Sequence, residues 1–338
     1  MGRISIVFQG HPDKFSVALL LLYLCIIYSP YFFYMSLTAV GTVAFDDIET
    51  PYGRAEKVIG GACTYIALAA SYFHTPVRIV SVIGDDFPKE TLEYLKTRGA
   101  DLDGLQIKHG EKSFFWAGKY HKDLNTRDTL DTQLNVLATF DPVLPEHYRN
   151  TDYLMLGNLT PGVQMRVLEQ LTRRPKLVML DTMNFWMNTA LEDLHRVLQK
   201  VDVLTVNDEE ARQLSGEHAL VKAARAIHKM GPRYVVVKKG EHGALLFHSG
   251  DMFYAPALPL ADVVDPTGAG DSFAGGFAGW IAKTDDTSYE NMKRAVIYGS
   301  AMASFCVEDF SINNLKGLLP AQIDKRVQAF ADLVRFDL

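Results

Sequence analysis

The chain has 338 residues, 48% of them hydrophobic and 22% charged, with a formal net charge of −6. This composition suits one large domain, or a domain with a small appendage, and the absence of any Lys/Arg cluster excludes a nucleic-acid partner for want of an electrostatic footprint. Cys25, Cys63 and Cys306 are odd in number and far apart, which supports neither a disulfide framework nor a zinc site and makes a reduced, cytoplasmic setting the expectation. Residues 17–34 carry no charge and are long enough for a membrane span or a signal peptide. Strand-like residues 37–41 follow with no linker, and Met35 stands where a start codon would precede a first strand. The reading adopted is a hydrophobic N-terminal extension, 1–34, arising from a mis-assigned start, with a membrane or signal segment as the alternative, followed by a folded domain over 35–338.

From Met35 on, short β-branched runs alternate with helical stretches. Strands are predicted at 37–42, 77–83, 153–156, 177–181, 203–207 and 234–238. Helices are predicted at 63–73, 89–97, 162–171, 190–199, 208–214 and 219–229, with further helices at 296–307 and 321–333. Continuous apolar strands separated by amphipathic helices argue for a mostly parallel sheet covered on both faces, and such sheets bind ligands at the carboxyl ends of their strands. Residues 113–122 and 133–140 break this rhythm and read as extended hairpin material.

The run Asp265-Pro266-Thr267-Gly268-Ala269-Gly270-Asp271-Ser272-Phe273 is the most informative segment. The apolar residues 258–264 before it read as the end of a strand, and 273–282 after it as a helix. A glycine-rich turn entering a helix leaves free backbone N–H groups which, with the helix dipole, make an anion site. Asp271 inside such a site suits a base for a hydroxyl that attacks phosphorus better than it suits mere binding. Ala274, Gly275, Ala278 and Gly279 give the helix a small-residue face for close packing on a sheet, which offsets a glycine cost of about 1 kcal/mol each.

This run resembles the C-terminal motif of the ribokinase-like (PfkB) family of carbohydrate and nucleoside kinases, and the resemblance extends over about 36–330. It implies a ribokinase-like α/β fold: a central, mostly parallel sheet with helices on both faces and a small β lid, placed at about 48–59 and 111–140. It also implies ATP-dependent phosphorylation of an alcohol, with Asp271 as catalytic base and the Gly268, Ala269 and Gly270 amides as anion hole. The first lid segment is short, so a reduced lid is expected and dimerisation through it is doubtful.

Other segments gain roles from the same resemblance. Asp46, taken as the end of the first strand, is a turn acid by local sequence, and the resemblance gives it the substrate hydroxyls. Gly60 and Gly61 are a helix-capping turn or a place of backbone approach to substrate. Tyr65 replaces a usual Asn and is either a stacking wall or a core aromatic. Asn184 is a substrate-region residue or an Asx-turn. Asn207 and Glu210 match an Asn-x-x-Glu motif for Mg²⁺, compatible with an ordinary N-cap. Lys238, where Thr is common, either reaches a phosphate or points to solvent. Gly240, Gly243, Thr267 and Ser300 fall on the nucleotide side, and Asp265 with the Thr267 carbonyl marks a site for a monovalent cation such as K⁺. No P-loop or protein-kinase motif occurs. The sequence therefore reads as an ATP- and Mg²⁺-dependent kinase acting on a sugar. A nucleoside kinase of the same fold is the alternative, and a non-catalytic sugar or nucleotide sensor the second. No membrane partner is expected, and monomer and homodimer both remain open.

Overall fold

In the computed structural model, residues 35–335 are described; the expectation for 1–34 lies outside them. A nine-stranded sheet forms the centre, in the order β13-β12-β11-β10-β9-β8-β1-β4-β5. Its strands are β1 (Leu37–Val40), β4 (Val77–Gly84), β5 (Ala100–Lys108), β8 (Tyr153–Leu156), β9 (Leu177–Asp181), β10 (Val203–Asn207), β11 (Tyr234–Lys238), β12 (Ala244–His248) and β13 (Asp251–Ala255). Pairing is parallel from β5 through β11 and antiparallel from β11 to β13. Alternation along each strand then splits the apolar side chains between two cores. Leu37, Ala39, Met179 and Val236 go to one face, and Val40, Val178, Leu180 and Val237 to the other.

The first face is covered by α1 (Ala62–Ala70), α8 (Ala269–Thr284) and α9 (Tyr289–Cys306), and the second by α3 (Pro161–Glu169), α5 (Leu191–Leu198), α6 (Asp208–Ser215) and α7 (Leu220–His228). Three short or peripheral helices complete the layers: α2 (Lys89–Thr97), α4 (Asn184–Thr189) and α10 (Pro320–Val334). A second, four-stranded sheet forms the lid, in the order β3-β2-β6-β7, from β2 (Ala44–Thr50), β3 (Gly53–Gly60), β6 (Phe114–Tyr120) and β7 (Arg127–Gln133).

The structure corrects the sequence reading in five places. Residues 258–264 form no strand: Pro256 and Pro259 cannot donate to a ladder, and the Val264 and Asp265 amides instead donate to the Val307 carbonyl. Residues 133–140 are not hairpin material, because Asn135–Thr139 is a 3₁₀ turn. The partner of β6 is the polar, wholly exposed β7, which has no apolar alternation to betray it. Edge strand β5 escaped notice because charged residues interrupt its apolar pattern. Asp46 lies not at the end of β1 but in the lid's first strand.

The fifth correction concerns α8. The two glycines of its small face pack on α1 rather than on the sheet: a Cβ at Gly275 would stand 2.3 Å from the Ile66 carbonyl oxygen, and one at Gly279 2.8 Å from that of Ala70. Gly275→Leu is therefore expected to destabilise by about 3 kcal/mol through overpacking. Gly162→Ala, in the open first turn of α3, is expected to be neutral or stabilising by about 0.5 kcal/mol. Thermal melts of the two variants check this, and equal melting temperatures would contradict it.

Candidate active site

The lid's first strand carries Asp46 down to the end of the main sheet. The side chain is 5% exposed, and its Oδ2 occupies the space a side chain at position 60 would need: a Cβ on Gly60 would lie 1.9 Å from it. Gly61 follows at φ 90°, a conformation that favours glycine. The turn is held by Thr42 Oγ1, which accepts from the Ala62 amide at 2.9 Å, and by Thr64 Oγ1, which donates to the Gly60 carbonyl at 2.8 Å. Gly60 thus makes room for a carboxylate, while Gly61 lets the turn pass close to the Thr42 carbonyl. Burial, helped by the charges of Asp265 and Asp271, pushes Asp46 up to about 8, and the Gly61 amide only partly opposes this.

The Asp265–Asp271 segment brings the N-terminus of α8 opposite Asp46. Asp265 is fully buried, with Oδ1 accepting from the Thr267 amide at 2.8 Å and Oδ2 from the Ser311 amide at 3.3 Å. Its carboxyl is raised by burial. Gly268, at φ 75°, caps α8 with no side-chain hydrogen bond and lies against the ring of Tyr65. Tyr65 is buried in the core and forms the underside of this turn, not a wall of the cleft. The Ala269 amide is spent on the Pro266 carbonyl, so of the predicted anion-hole donors it is the one not available. The amides of Gly268, Gly270 and Asp271 donate to no acceptor among the described residues. Asp271, in the first turn, is pushed up to about 7 by burial and by the Asp181 charge, against the pull of Lys238 and Arg127.

The ends of β9, β10 and β11 complete the floor. Asp181 ends β9 and accepts from Lys238 Nζ, at the end of β11, at 2.9 Å. Lys238 points inward: a Cβ on Gly270 would stand 3.0 Å from its Nζ. Burial disfavours its charge, but Asp181 and Glu210 more than restore it. Between these strands, Asn207 caps α6. Its Oδ1 accepts from the Glu210 amide and Glu210 Oε2 accepts from the Asn207 amide, each at 2.7 Å. Glu210 is pushed up to about 7 by burial, opposed by Lys238. Its Oε1 has no hydrogen bond among the described residues.

The remaining predicted residues lie farther out or serve the framework. Asn184 opens α4, is exposed, and makes no side-chain hydrogen bond among the described residues, so its Asx-turn does not form. Gly240 and Gly243 bound the turn between β11 and β12, with Asn125 of the lid loop close to the first and the Ala255 carbonyl close to the second. Ser300 is half-buried in α9. Thr267 Oγ1 shares a hydrogen bond of 3.2 Å with the hydroxyl of Tyr120, tying the lid to the motif.

Sequence reasoning missed Asp181, Tyr120 and Arg127 as site residues. Asp181 carried a usable signal, an acid at a parallel strand's carboxyl end. Arg127 carried none, since it sits in a strand without apolar pattern.

The chain matches the description "pfkB family carbohydrate kinase" over residues 36–316. It belongs to the pfkB family. Its relatives include a cytidine kinase from Thermococcus kodakarensis, 31% identical over 249 residues, covering 72% of this chain and 87% of that protein. Among solved structures, the nucleoside kinase of Methanocaldococcus jannaschii superposes with a TM-score of 0.69 at 21% identity, over 87% of this chain and 98% of that one. A ribokinase-like protein of E. coli in complex with ATP and Mg²⁺ gives 0.72 at 18% identity, over 87% and 99%. The pfkB assignment makes the chain a small-molecule phosphotransferase with an alcohol acceptor. The carbohydrate-kinase fold expected from the sequence is the one found. Among the described residues no helix is long and apolar enough to cross a membrane.

The raised carboxyls have a consequence for stability. The folded values of Asp46, Asp271 and Glu210, about 7–8, lie above their ordinary values of 3.8–4.5, so the folded protein binds the extra protons in that interval. Their contribution to stability is therefore fully present below about pH 4 and is lost progressively as pH rises to about 7–8. Asp46→Asn is expected to raise the melting temperature of the ligand-free protein at about pH 8.5 and to raise it much less at about pH 5. A melting series across pH decides this; a variant less stable than wild type at the higher pH would contradict it.

Proposed function

We propose that this chain transfers the γ-phosphoryl of ATP to a hydroxyl of a sugar or nucleoside, with Asp271 as the base. The observation that carries the reading is a carboxyl raised to about 7 in the first turn of a 16-residue helix whose Gly270 and Asp271 amides have no acceptor among the described residues. A base of that kind titrates near neutral pH, where proton transfer from an attacking alcohol is most effective. In this reading Asp46 accepts hydrogen bonds from acceptor hydroxyls across the cleft, its several lone pairs suiting it to hold two at once. The Gly268, Gly270 and Asp271 amides face the charge that develops on the transferring phosphoryl, a role that needs fixed donors more than strong ones. Lys238, fixed by Asp181 beside Gly270, adds a cation on the same side. Gly240, Gly243 and Ser300 border the nucleotide.

The donor set fits Mg²⁺. Asp46, Asp181, Glu210 and Asp271 outnumber the buried cation Lys238, and burial raises Asp46, Glu210 and Asp271 in the absence of further positive charge. Glu210 would hold the ion through Oε1, where Mg²⁺ would offset phosphate charge. Asn207 has spent its side-chain oxygen on the cap and supports Glu210 instead of ligating. A monovalent cation at Asp265 has less support, because both of its oxygens already accept backbone amides and the Thr267 carbonyl accepts the Cys306 thiol at 3.4 Å. The need for ATP, and the buried free thiols of Cys63 and Cys306, favour a cytoplasmic setting. The non-catalytic alternative is disfavoured by the intact Asp271.

Asp271→Asn is expected to lower single-turnover phosphorylation by about 10²–10⁴ while ATP binding, followed by calorimetry, persists. Near wild-type turnover would remove the base assignment, and lost binding with a lowered melting temperature would make Asp271 a structural cap. Glu210→Gln is expected to shift the Mg²⁺ titration of activity to higher concentrations with a smaller effect on acceptor KM. An unchanged Mg²⁺ dependence would take Glu210 out of the site.

A further inference from the structure

The outermost strand of the lid holds one cation over the Asp265–Asp271 segment. In the lid sheet β6 lies between β2 and β7, with Trp116 opposite Asp46 on one side and Tyr120 opposite Arg127 on the other. Directly paired residues share a face of a sheet. Tyr120 shows which face this is, because its hydroxyl bonds Thr267. Trp116, four residues before Tyr120 on the same strand, lies on the same face. Arg127 therefore stands on the inner face of the lid, above the start of α8.

The guanidinium is seated rather than paired. Its carbon lies 5.8 Å from the ring centroid of Trp116, within the distance at which an aromatic face attracts a cation. The ring is itself fixed. A Cβ on Gly118 would lie 2.0 Å from Trp116 Cη2, so the indole lies across the backbone of its own strand, and Nε1 donates to Thr129 Oγ1 of β7 at 3.3 Å. Elsewhere on the lid, Arg54 pairs with Glu56, Lys119 with Glu49 and His121 with Asp128. Arg127 makes no ion pair among the described residues. Stacking occupies the face of a planar guanidinium and leaves its N–H edge free. Burial raises Asp271 and Glu210, and the Arg127 charge is among those that pull both back, so this cation is felt at the base and at the Asn207–Glu210 cap.

We propose that Arg127 is a catalytic residue carried by the lid, donating from its free edge to the oxygens of the phosphoryl group in transit. This rests on the kinase reading above. As the acceptor oxygen bonds to phosphorus, the bond from phosphorus to the bridging oxygen of ADP breaks. The hydroxyl proton passes to Asp271, and Arg127 keeps its own protons throughout. The amides at the start of α8 and Lys238 meet the phosphoryl group from the floor, and Arg127 meets it from the cover. A guanidinium suits the place because it offers two parallel donors to two oxygens, and negative charge is spread over three such oxygens during transfer. The cation reaches them only where the lid lies over the cleft, so transfer depends on the cover as well as on the floor.

The test uses the full chain with ATP, Mg²⁺ and two acceptors without an anionic group, ribose and cytidine, so that no acceptor anion competes for the guanidinium. Arg127→Met keeps an unbranched stem on the indole and removes the charge. It is expected to lower kcat about a hundredfold, with little change in acceptor KM or in ADP affinity by calorimetry. Arg127→Gln is expected to behave alike, which keeps the test decisive should one variant fail to fold. Arg127→Lys is expected to recover only part of the loss, as a point charge without the fork. Aluminium fluoride, a mimic of the phosphoryl group in transit, is expected to tighten ADP binding to wild type in the presence of acceptor and to do so far less in Arg127→Met. An unchanged kcat in the folded variants, a rise in acceptor KM alone, or a full aluminium fluoride effect in Arg127→Met overturns the inference and leaves the kinase reading standing. Phosphorylation of no acceptor by wild type overturns both.

Discussion

The ion pair between Lys238 and Asp181 sets the electrostatics on which the rest of the site depends. Carboxylates from the lid, from the ends of β9 and β10 and from the start of α8 converge where water is largely excluded, and such a convergence is costly without a counter-charge. Lys238 is held by Asp181 at 2.9 Å and stands beside Gly270 at the mouth of α8. Through it, three segments distant in sequence share one charge balance. Burial is the main reason that Asp46, Asp271 and Glu210 all hold their protons more tightly than usual, and neighbouring carboxylates add to it at Asp46 and Asp271. A site left in that state is suited to a substrate that arrives with a metal ion.

The scaffold achieves this by geometry that elementary rules supply. Parallel strands put their carboxyl ends on one edge, so Asp181, Asn207 and Lys238 come together simply by ending β9, β10 and β11. The lid approaches from the other side because β2 leaves β1 after only a short link and folds back as a hairpin through Pro51 and Tyr52. What the lid adds, Asp46 and the aromatic face beside it, is therefore held against the same edge.

Much of this was legible in the sequence, for identifiable reasons. The inner strands β8 to β11 are short apolar runs bounded by polar residues, and their predicted limits coincide with the observed ones. The Asp265–Asp271 run announced its turn and helix through glycine spacing. The Asn207–Glu210 cap is local, and both of its hydrogen bonds span three residues. What escaped depends on distant partners or on solvent. Lys238 could not be oriented without Asp181, 57 positions away. β7 has no buried face, so no alternation marks it, and Arg127 went with it. The apolar run 258–264 misled because hydrophobicity was read without weighing its prolines. Asp46 was given the wrong strand, since a continuous apolar run hides the break between β1 and β2.

The hydrogen bond between Tyr120 and Thr267 has a further consequence. The lid has little interior of its own, with β7 wholly exposed and β3 mostly so. It is held to the main body by this bond, by Phe45 packed in the main core against Phe87, and by Ser311 Oγ, which donates to the Ile59 carbonyl. An acceptor bound as proposed, between Asp46 and the start of α8, would lie under this sheet and add to the contacts that join cover and body, so the partner that receives the phosphoryl group would also complete the enclosure around it.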